Sequence, residues 1–364
     1  MLDPLDDFPI HQSPTSLAEN PLGINAYDRY FFNGYSADGS LFFAAALGVY
    51  PNRGIIDAAF SIVRDGEQSS VFASARLGSD RRATAVGPIT VDIADPMRTI
   101  GVNVEHASLS ASVIFSATTP AVLEPRFTQN VPGMGPFDYT RYTQFGSWSG
   151  AITLHGESID VAGSVGCRDR SWGQRPVGGP SGAAPAPPQF FWLWAPINFD
   201  DGALHFDVND FADGSRWHDA GFRVPMLGRG DAPWAAPVEP MRSVSYDMKM
   251  APGTRWAGEA TITLQPWNGD AITIELELLL RFQMKGLGYG HPDHGHGSWQ
   301  SEDLVAFETV NLDDVDPTAR QNVHIQHLVR ATTSDGRTGT GVLEILAVGP
   351  HEPTGLTGIF DVAP

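Results

Sequence analysis

The run Gly166-Cys167-Arg168-Asp169-Arg170-Ser171-Trp172-Gly173 concentrates charge and aromatic surface within eight residues. A carboxylate stands between two guanidinium groups, an indole follows, and glycine closes both ends. Flanking cations hold a carboxyl ionised unless burial wins and raises its pKa. The glycines point to a backbone under steric demand. The cluster fits either a buried ion-pair corner or the floor of a reactive pocket. Cys167 beside it reads as a small buried hydrophobe.

A second set lies on Ala203–Asn209. On a strand, His205, Asp207 and Asn209 share one face and Leu204, Phe206 and Val208 the other. Such a polar row lines a binding cavity or coats a solvated outer face. A third set is the glycine-rich stretch 286–297, with His291, His294 and His296. Three imidazoles could hold a divalent metal. The nearby His324 and His327 point to opposite faces if their segment is a strand, and no glutamate completes a familiar metal signature. No metal or cofactor is therefore expected, and the loop imidazoles are read as bonding backbone or shaping a pocket mouth. The aromatic cluster Phe190–Trp194, with Trp192 and Trp194, packs a core or lines an apolar cavity. No nucleophile elbow, phosphate loop or dinucleotide fingerprint occurs, so hydrolase, kinase and dehydrogenase chemistry lack support.

The elements that must position these residues are strands. In Ile272–Phe282 every even position is apolar, the signature of a half-buried strand. Shorter runs of the same kind are 101–105, 108–116, 158–162, 259–264 and 341–348. Asp-Gly turns at 38–39, 201–202, 213–214 and 335–336 separate them. The Pro/Gly/Ala-rich stretch 176–189 has almost no bulky side chains and reads as a linker or long loop. Around it lies an internal repeat: 38–43 matches 201–206, and 57–62 matches 219–224 in nearly constant register. In the first copy, His205 and Asp207 are replaced by Phe42 and Ala44. The expected fold is mainly β: two consecutive lipocalin-like antiparallel β-barrels related by an internal duplication, over residues 1–180 and 181–364. Closure removes exposed sheet edges.

A net charge of −19 over 364 residues disfavours nucleic acid as a partner. With a single cysteine, no internal disulfide can form. The N-terminus lacks the basic and apolar regions of a secretory signal, and no apolar run would span a bilayer. A cytoplasmic protein without an integral membrane segment is the expectation.

The segments Tyr30–Val63, Arg141–Gly173, Phe190–Val224 and Gly286–Gly297 together resemble the carotenoid 1,2-hydratase and AttH-like superfamily. The R-D-R-S-W-G and G-Y-G-H-P-x-x-G-H-G motifs are similar to those of an uncharacterised bacterial branch. The resemblance implies two lipocalin-like barrels. In the hydratases, a G-x-x-Y-x-D motif supplies an aspartate that protonates an alkene. Here Gly163–Asp169 matches it, with Cys167 at the tyrosine position, and Tyr142 and Gln144 stand loosely where the family has a His-x-Trp pair. Related fungal proteins of this plan act as cyclases.

The functional expectation is an enzyme that hydrates, isomerises or cyclises an apolar terpenoid-, polyketide- or aromatic-like molecule in a barrel cavity. Asp169 is the proton donor or orienting carboxylate, with Arg168 or Arg170 as its electrostatic partner. His205, Asp207 and His291 are further candidates for proton transfer. Trp172, Tyr142, Gln144, Trp192, Trp194 and His291 are the expected substrate contacts. The alternatives are a non-catalytic carrier of an apolar metabolite and a metalloenzyme built on the loop histidines.

Overall fold

The computed structural model describes residues 1–9, 11, 23–80, 82–131, 135–177 and 189–364. The interior of the 176–189 linker lies outside the described residues. In the first half the strands are β1 (Ala26–Tyr35), β2 (Phe42–Tyr50), β3 (Ile55–Arg64), β4 (Glu67–Arg76), β5 (Ala85–Val86), β6 (Ile89–Asp95), β7 (Thr99–Glu105), β8 (Leu109–Ala117), β9 (Val122–Leu123), β10 (Phe127–Val131), β11 (Gly135–Leu154), β12 (Glu157–Asp160) and β13 (Val165–Gln174). In the second half they are β14 (Phe190–Phe199), β15 (Gly202–Asp210), β16 (Arg216–Pro225), β17 (Glu239–Pro240), β18 (Ser243–Met250), β19 (Ala257–Gln265), β20 (Ile272–Gln283), β21 (Asp303–Asn311), β22 (Ile325–Thr333) and β23 (Thr338–Val348). Only short 3-10 helices join them among the described residues.

Two curled antiparallel sheets result, one lipocalin-like barrel each. The first runs β21-β4-β3-β2-β1-β13-β11-β8-β7-β6-β5. The second runs β17-β16-β15-β14-β23-β22-β20-β19-β18. Each curls until distant strands meet: a Cβ on Gly87 would stand 3.1 Å from Ala73 of β4, and Met241, just before β18, donates its N–H to Gly221 of β16 at 2.8 Å. The meander β1-β2-β3 and the meander β14-β15-β16 occupy the repeated segments.

The expected strand at Ile272–Phe282 is β20, and its even-numbered Ile272, Ile274 and Leu276 are buried. Its alternation breaks at Leu279, where the pairing with β22 slips by one residue. Sheet membership departs from the simple split of the chain at one place. β21, from the second half, pairs along all of β4 and covers the edge of the first sheet.

The first barrel is filled by its own side chains, among them Phe32, Phe43, Phe60, Val71, Phe115 and Trp148. Its mouth is plugged by a 3-10 turn, Pro4–Asp7, whose Asp3 side chain caps it by accepting from the Leu5 N–H at 2.7 Å. The second interior is packed by Leu193, Leu204, Phe206, Ile262 and Ile345. With both interiors filled, the space that holds mixed polar and aromatic groups is the seam where the outer faces of the two sheets meet.

Candidate active site

Strict alternation along β13 sends the Arg-Asp-Arg run to two different faces. Arg168, Arg170 and Trp172 lie opposite Phe32, Tyr30 and Asp28 of β1, toward the first barrel's interior. There Arg168 Nη1 donates to Asp7 Oδ1 at 2.6 Å, and Tyr142 Oη donates to the same oxygen at 2.5 Å. Gln144 accepts from Arg168 Nε at 3.0 Å and donates to the carbonyls of Met97 and Thr119. Arg170 pairs with Asp28 and lies 3.6 Å from the centre of the Tyr30 ring. His11 stacks on Trp172 at 3.8 Å and hydrogen-bonds Asp28 at 2.6 Å. Burial pushes Asp7 and Asp28 up, but Arg168 and Arg170, with His11 on Asp28, hold both below the usual carboxylate range.

In this network both arginines are paired to carboxylates, although Arg168 Nη2 and Trp172 Nε1 stay unfilled, and it corrects the expectation that Arg168 or Arg170 is the partner of Asp169. Neighbours in sequence on a strand are on opposite sides in space. Tyr142, Gln144 and Trp172, expected at substrate, belong to this packed interior as well. Glycine is needed at both ends of the run. A Cβ on Gly166 would stand 2.0 Å from the Asn33 carbonyl, and one on Gly173, at φ +134°, 2.4 Å from that of Asp138.

Asp169 faces the other way, into the seam, between Phe31 of β1 and Thr143 of β11. It is half-buried. Among the described residues its carboxyl makes no hydrogen bond and no ion pair within 4 Å. Burial raises its pKa to about 6; Glu344 across the seam adds to the rise, and Arg141, Arg175 and Arg29 oppose it.

Side chains from both sheets surround this carboxyl. The first sheet contributes Tyr27 and Arg29 of β1, Arg141 of β11, and Arg175 just past β13. The second contributes Trp192 and Trp194 of β14 and Glu344 of β23, the last bound by His324 at 2.5 Å and Gln326 at 2.6 Å. Tyr289, from the loop after β20, lies 4.9 Å under the Arg29 guanidinium and 5.1 Å from the His324 ring. Arg29 also donates to Tyr50 Oη at 2.8 Å, and Tyr50 meets His296 Nδ1 at 3.2 Å. The Gly297 N–H donates to Asp57, whose pKa burial raises to about 6 against the pull of Arg29. The glycine-rich loop thus seals one side of the seam. Asp169, Trp192, Tyr289 and Arg175 keep partial exposure among buried neighbours, and this part of the seam is the candidate recess.

Deeper in the same seam lie His205 and Asp207, buried rather than solvated. The structure brings them to Glu124 and Arg141. Arg141 Nη2 reaches Glu124 and Asp207, each at 2.5 Å. Thr143 donates to Glu124 at 2.7 Å and Trp192 Nε1 to Asp207 at 2.6 Å. One guanidinium cannot neutralise two buried carboxylates. Burial and the Asp207 charge push Glu124 up against Arg141, while Arg141 and His218 outweigh burial and hold Asp207 down. Burial lowers His205 to about 3, so its ring is neutral, and neither nitrogen has a hydrogen-bond partner. Ligand atoms of Glu124, His205 and Asp207 lie within 4.8 Å of one another. The Arg141 cation already sits between the two carboxylates.

The three loop histidines do not gather around one point. His291 pairs with Glu308 at 3.2 Å, and its Nδ1 accepts from the N–H groups of Asp293 and His294. His294 bonds Gln300 and His296 bonds Tyr50. The alternative of a three-imidazole metal site is not met among the described residues: the His291 and His294 rings lie 4.8 Å apart against Phe72 but bond different partners, and His296 turns to Tyr50. His291 lies against Phe72, with its partners on the loop and on β21, and takes no part in the recess. A separate recess of about 300 Å³ opens at the rim of the second sheet, where Arg223 pairs with Glu239 and Arg337 with Asp201. It holds no orphaned polar group and carries no site here. Among the described residues no helix is long and apolar enough to cross a membrane.

Sequence reasoning missed Glu124, Arg141, Arg175, Tyr289 and Glu344, and weighed His324 only as a metal ligand. They come from separate strands and loops and meet only in the tertiary fold. The period-2 rule applied inside 166–173 would have separated Asp169 from its flanking arginines.

The family described as "Family of unknown function (DUF8625)" matches residues 2–357. No curated protein matches the chain. A candidate AttH from Nitrosomonas europaea shares the fold at 15% identity, with 92% of this chain and 96% of that chain covered and a TM-score of 0.55. Kievitone hydratase from Nectria haematococca aligns at 12% identity over 88% of this chain and 89% of its own, with a TM-score of 0.49. The first of these likenesses shows the two-barrel fold, and neither speaks to the reaction.

Proposed function

The chain belongs to the DUF8625 family of unknown function, and from the geometry of its seam we propose that it is an acid–base enzyme. It adds or removes water, or shifts a double bond, on a small molecule with an apolar body. The observation that carries this reading is Asp169: a half-buried carboxyl with no partner, pKa about 6, facing an aromatic-walled recess. A structural carboxylate is paired, as Asp7 and Asp28 are. An unpaired one whose pKa lies near neutrality is suited to give and take a proton within one cycle.

In the hydration direction, protonated Asp169 gives its proton to one alkene carbon. The adjacent carbon takes a water oxygen, and the surplus proton of that water returns to the carboxylate. Dehydration runs the same steps in reverse. Trp192, Trp194 and Tyr289 supply apolar walls, and their ring faces favour positive charge developing on carbon. Arg141, held between Glu124 and Asp207, keeps Trp192 in place by lying 5.2 Å from its ring. This reading keeps the aspartate role implied by the resemblance to the carotenoid hydratases, without the flanking arginines.

The test is incubation of the protein in ¹⁸O-labelled water with a panel of apolar alkenes and enones, read by mass spectrometry. A labelled alcohol is expected from the wild type, falling by about 10²–10⁴-fold in folded Asp169→Asn. Undiminished labelling in the variant would remove Asp169 from the chemistry. A retained but unaltered compound in both proteins would favour a carrier.

A further inference from the structure

Three arginines face the recess, and they are not equivalent. Arg29 reaches Asp57 at 3.5 Å and Arg141 bridges Glu124 and Asp207. Arg175 has no carboxylate within 4 Å among the described residues, and its buried Nε and Nη2 have no acceptor. A desolvated cation with unfilled donors is costly to fold around. The fold nonetheless holds it in place. Its guanidinium lies 4.4 Å from the ring centre of Tyr27 and 5.9 Å from that of Tyr289, and its backbone N–H donates to Asn25 at 3.3 Å. The Tyr27 hydroxyl is fully buried beside the Ser171 side chain.

Nε and Nη2 form the side edge of a guanidinium. Their two N–H bonds run parallel at the spacing of the two oxygens of a carboxylate. Phosphate would use the same fork, but the walls here are Tyr27, Tyr139 and Tyr289, which fit a planar apolar body rather than a hydrated anion. Asp169 stands within electrostatic reach of Arg175 but outside ion-pair range, so a ligand acid held by Arg175 would bring its apolar part toward Asp169.

We propose that Arg175, with Tyr27, is the recognition site for the carboxylate of a small unsaturated or aromatic acid. The proposal rests on the reading of Asp169 as the acid–base group and names the substrate class for that same recess. A bidentate pair orients the ligand, which the apolar walls alone cannot do.

The probes are trans-cinnamate and its uncharged counterpart, cinnamamide, with inorganic phosphate as the control for a bare anion. Binding is measured by calorimetry at fixed ionic strength. Wild type is expected to bind cinnamate at least tenfold more tightly than cinnamamide, and phosphate more weakly than either. Arg175→Gln should abolish that preference and leave cinnamamide binding unchanged. Asp169→Asn should keep the preference, so failure of the carboxylate proposal and failure of the acid–base reading are told apart. Equal affinity for the two probes, no cinnamate binding at millimolar concentration, or a preference intact in Arg175→Gln would each overturn the proposal. Thermal unfolding gives a second readout. A binding arginine with unfilled donors is expected to leave the midpoint of Arg175→Gln unchanged or raised, whereas a lowered midpoint with both affinities unchanged would make Arg175 structural.

Discussion

At the scale of single residues, the contrast between Asp169 and its neighbours decides the functional reading. Asp7 and Asp28 meet arginine and are held low; Asp169, on the same strand pair, meets none and is raised to about 6. A folded-state pKa above the unfolded value of about 3.9 means that the native state holds the extra proton between about pH 4 and 6. Stability associated with Asp169 is therefore full below pH 4 and declines as pH rises to 6. Asp169→Asn removes that decline. The variant should be more stable than wild type by about 2–3 kcal/mol at pH 7, with the difference vanishing near pH 4. Urea unfolding of both proteins across this range checks it; a variant less stable at pH 7 would contradict the assigned environment. The types of these residues were legible in the sequence, and so was the facing of His205 and Asp207 away from Leu204 and Phe206. The pairing was not. Arg168 and Arg170 find acids at positions 7 and 28, more than 140 residues away, and no local pattern encodes that.

At the scale of elements, β13 has one structural face and one chemical face. Its inward side buries two ion pairs, one of them to the 3-10 turn that plugs the first barrel. Breaking a buried pair leaves an uncompensated charge, at a cost of about 3–5 kcal/mol. Asp28→Asn should therefore lower stability by about that amount at pH 7, and by progressively less below pH 4, because the depressed carboxyls lose their contribution as they protonate. Denaturant unfolding measures this; a loss under about 1 kcal/mol at pH 7 would show that the network is slack. Strand identity itself was readable from alternation in 272–282 and from the Asp-Gly turns. β21 was not anticipated as an edge of the first sheet, because its partner β4 lies about 230 residues earlier and pairing is set by the open edge it covers.

At the scale of the whole molecule, the recess exists only because two barrels pack face to face. Each barrel interior is filled, and the repeated meanders β1-β2-β3 and β14-β15-β16 bring their outer faces together. The first copy offers Phe42 and Ala44 where the second offers His205 and Asp207, so a duplicated frame yields a seam with unlike walls. Two barrels could be inferred from the sequence repeat; a site between them, built from both, could not, since its members are spread from position 27 to position 344. Burial by the second sheet, with Glu344 opposite, is what lifts the Asp169 carboxyl. The most direct measurement is the titration of that carboxyl by carbon-13 NMR, assigned as the resonance lost in Asp169→Asn. A midpoint near pH 6 is expected, shifting down in Glu344→Gln as the opposing charge is removed. A midpoint at or below about 4, the range of a solvated or arginine-paired aspartate, would contradict the site.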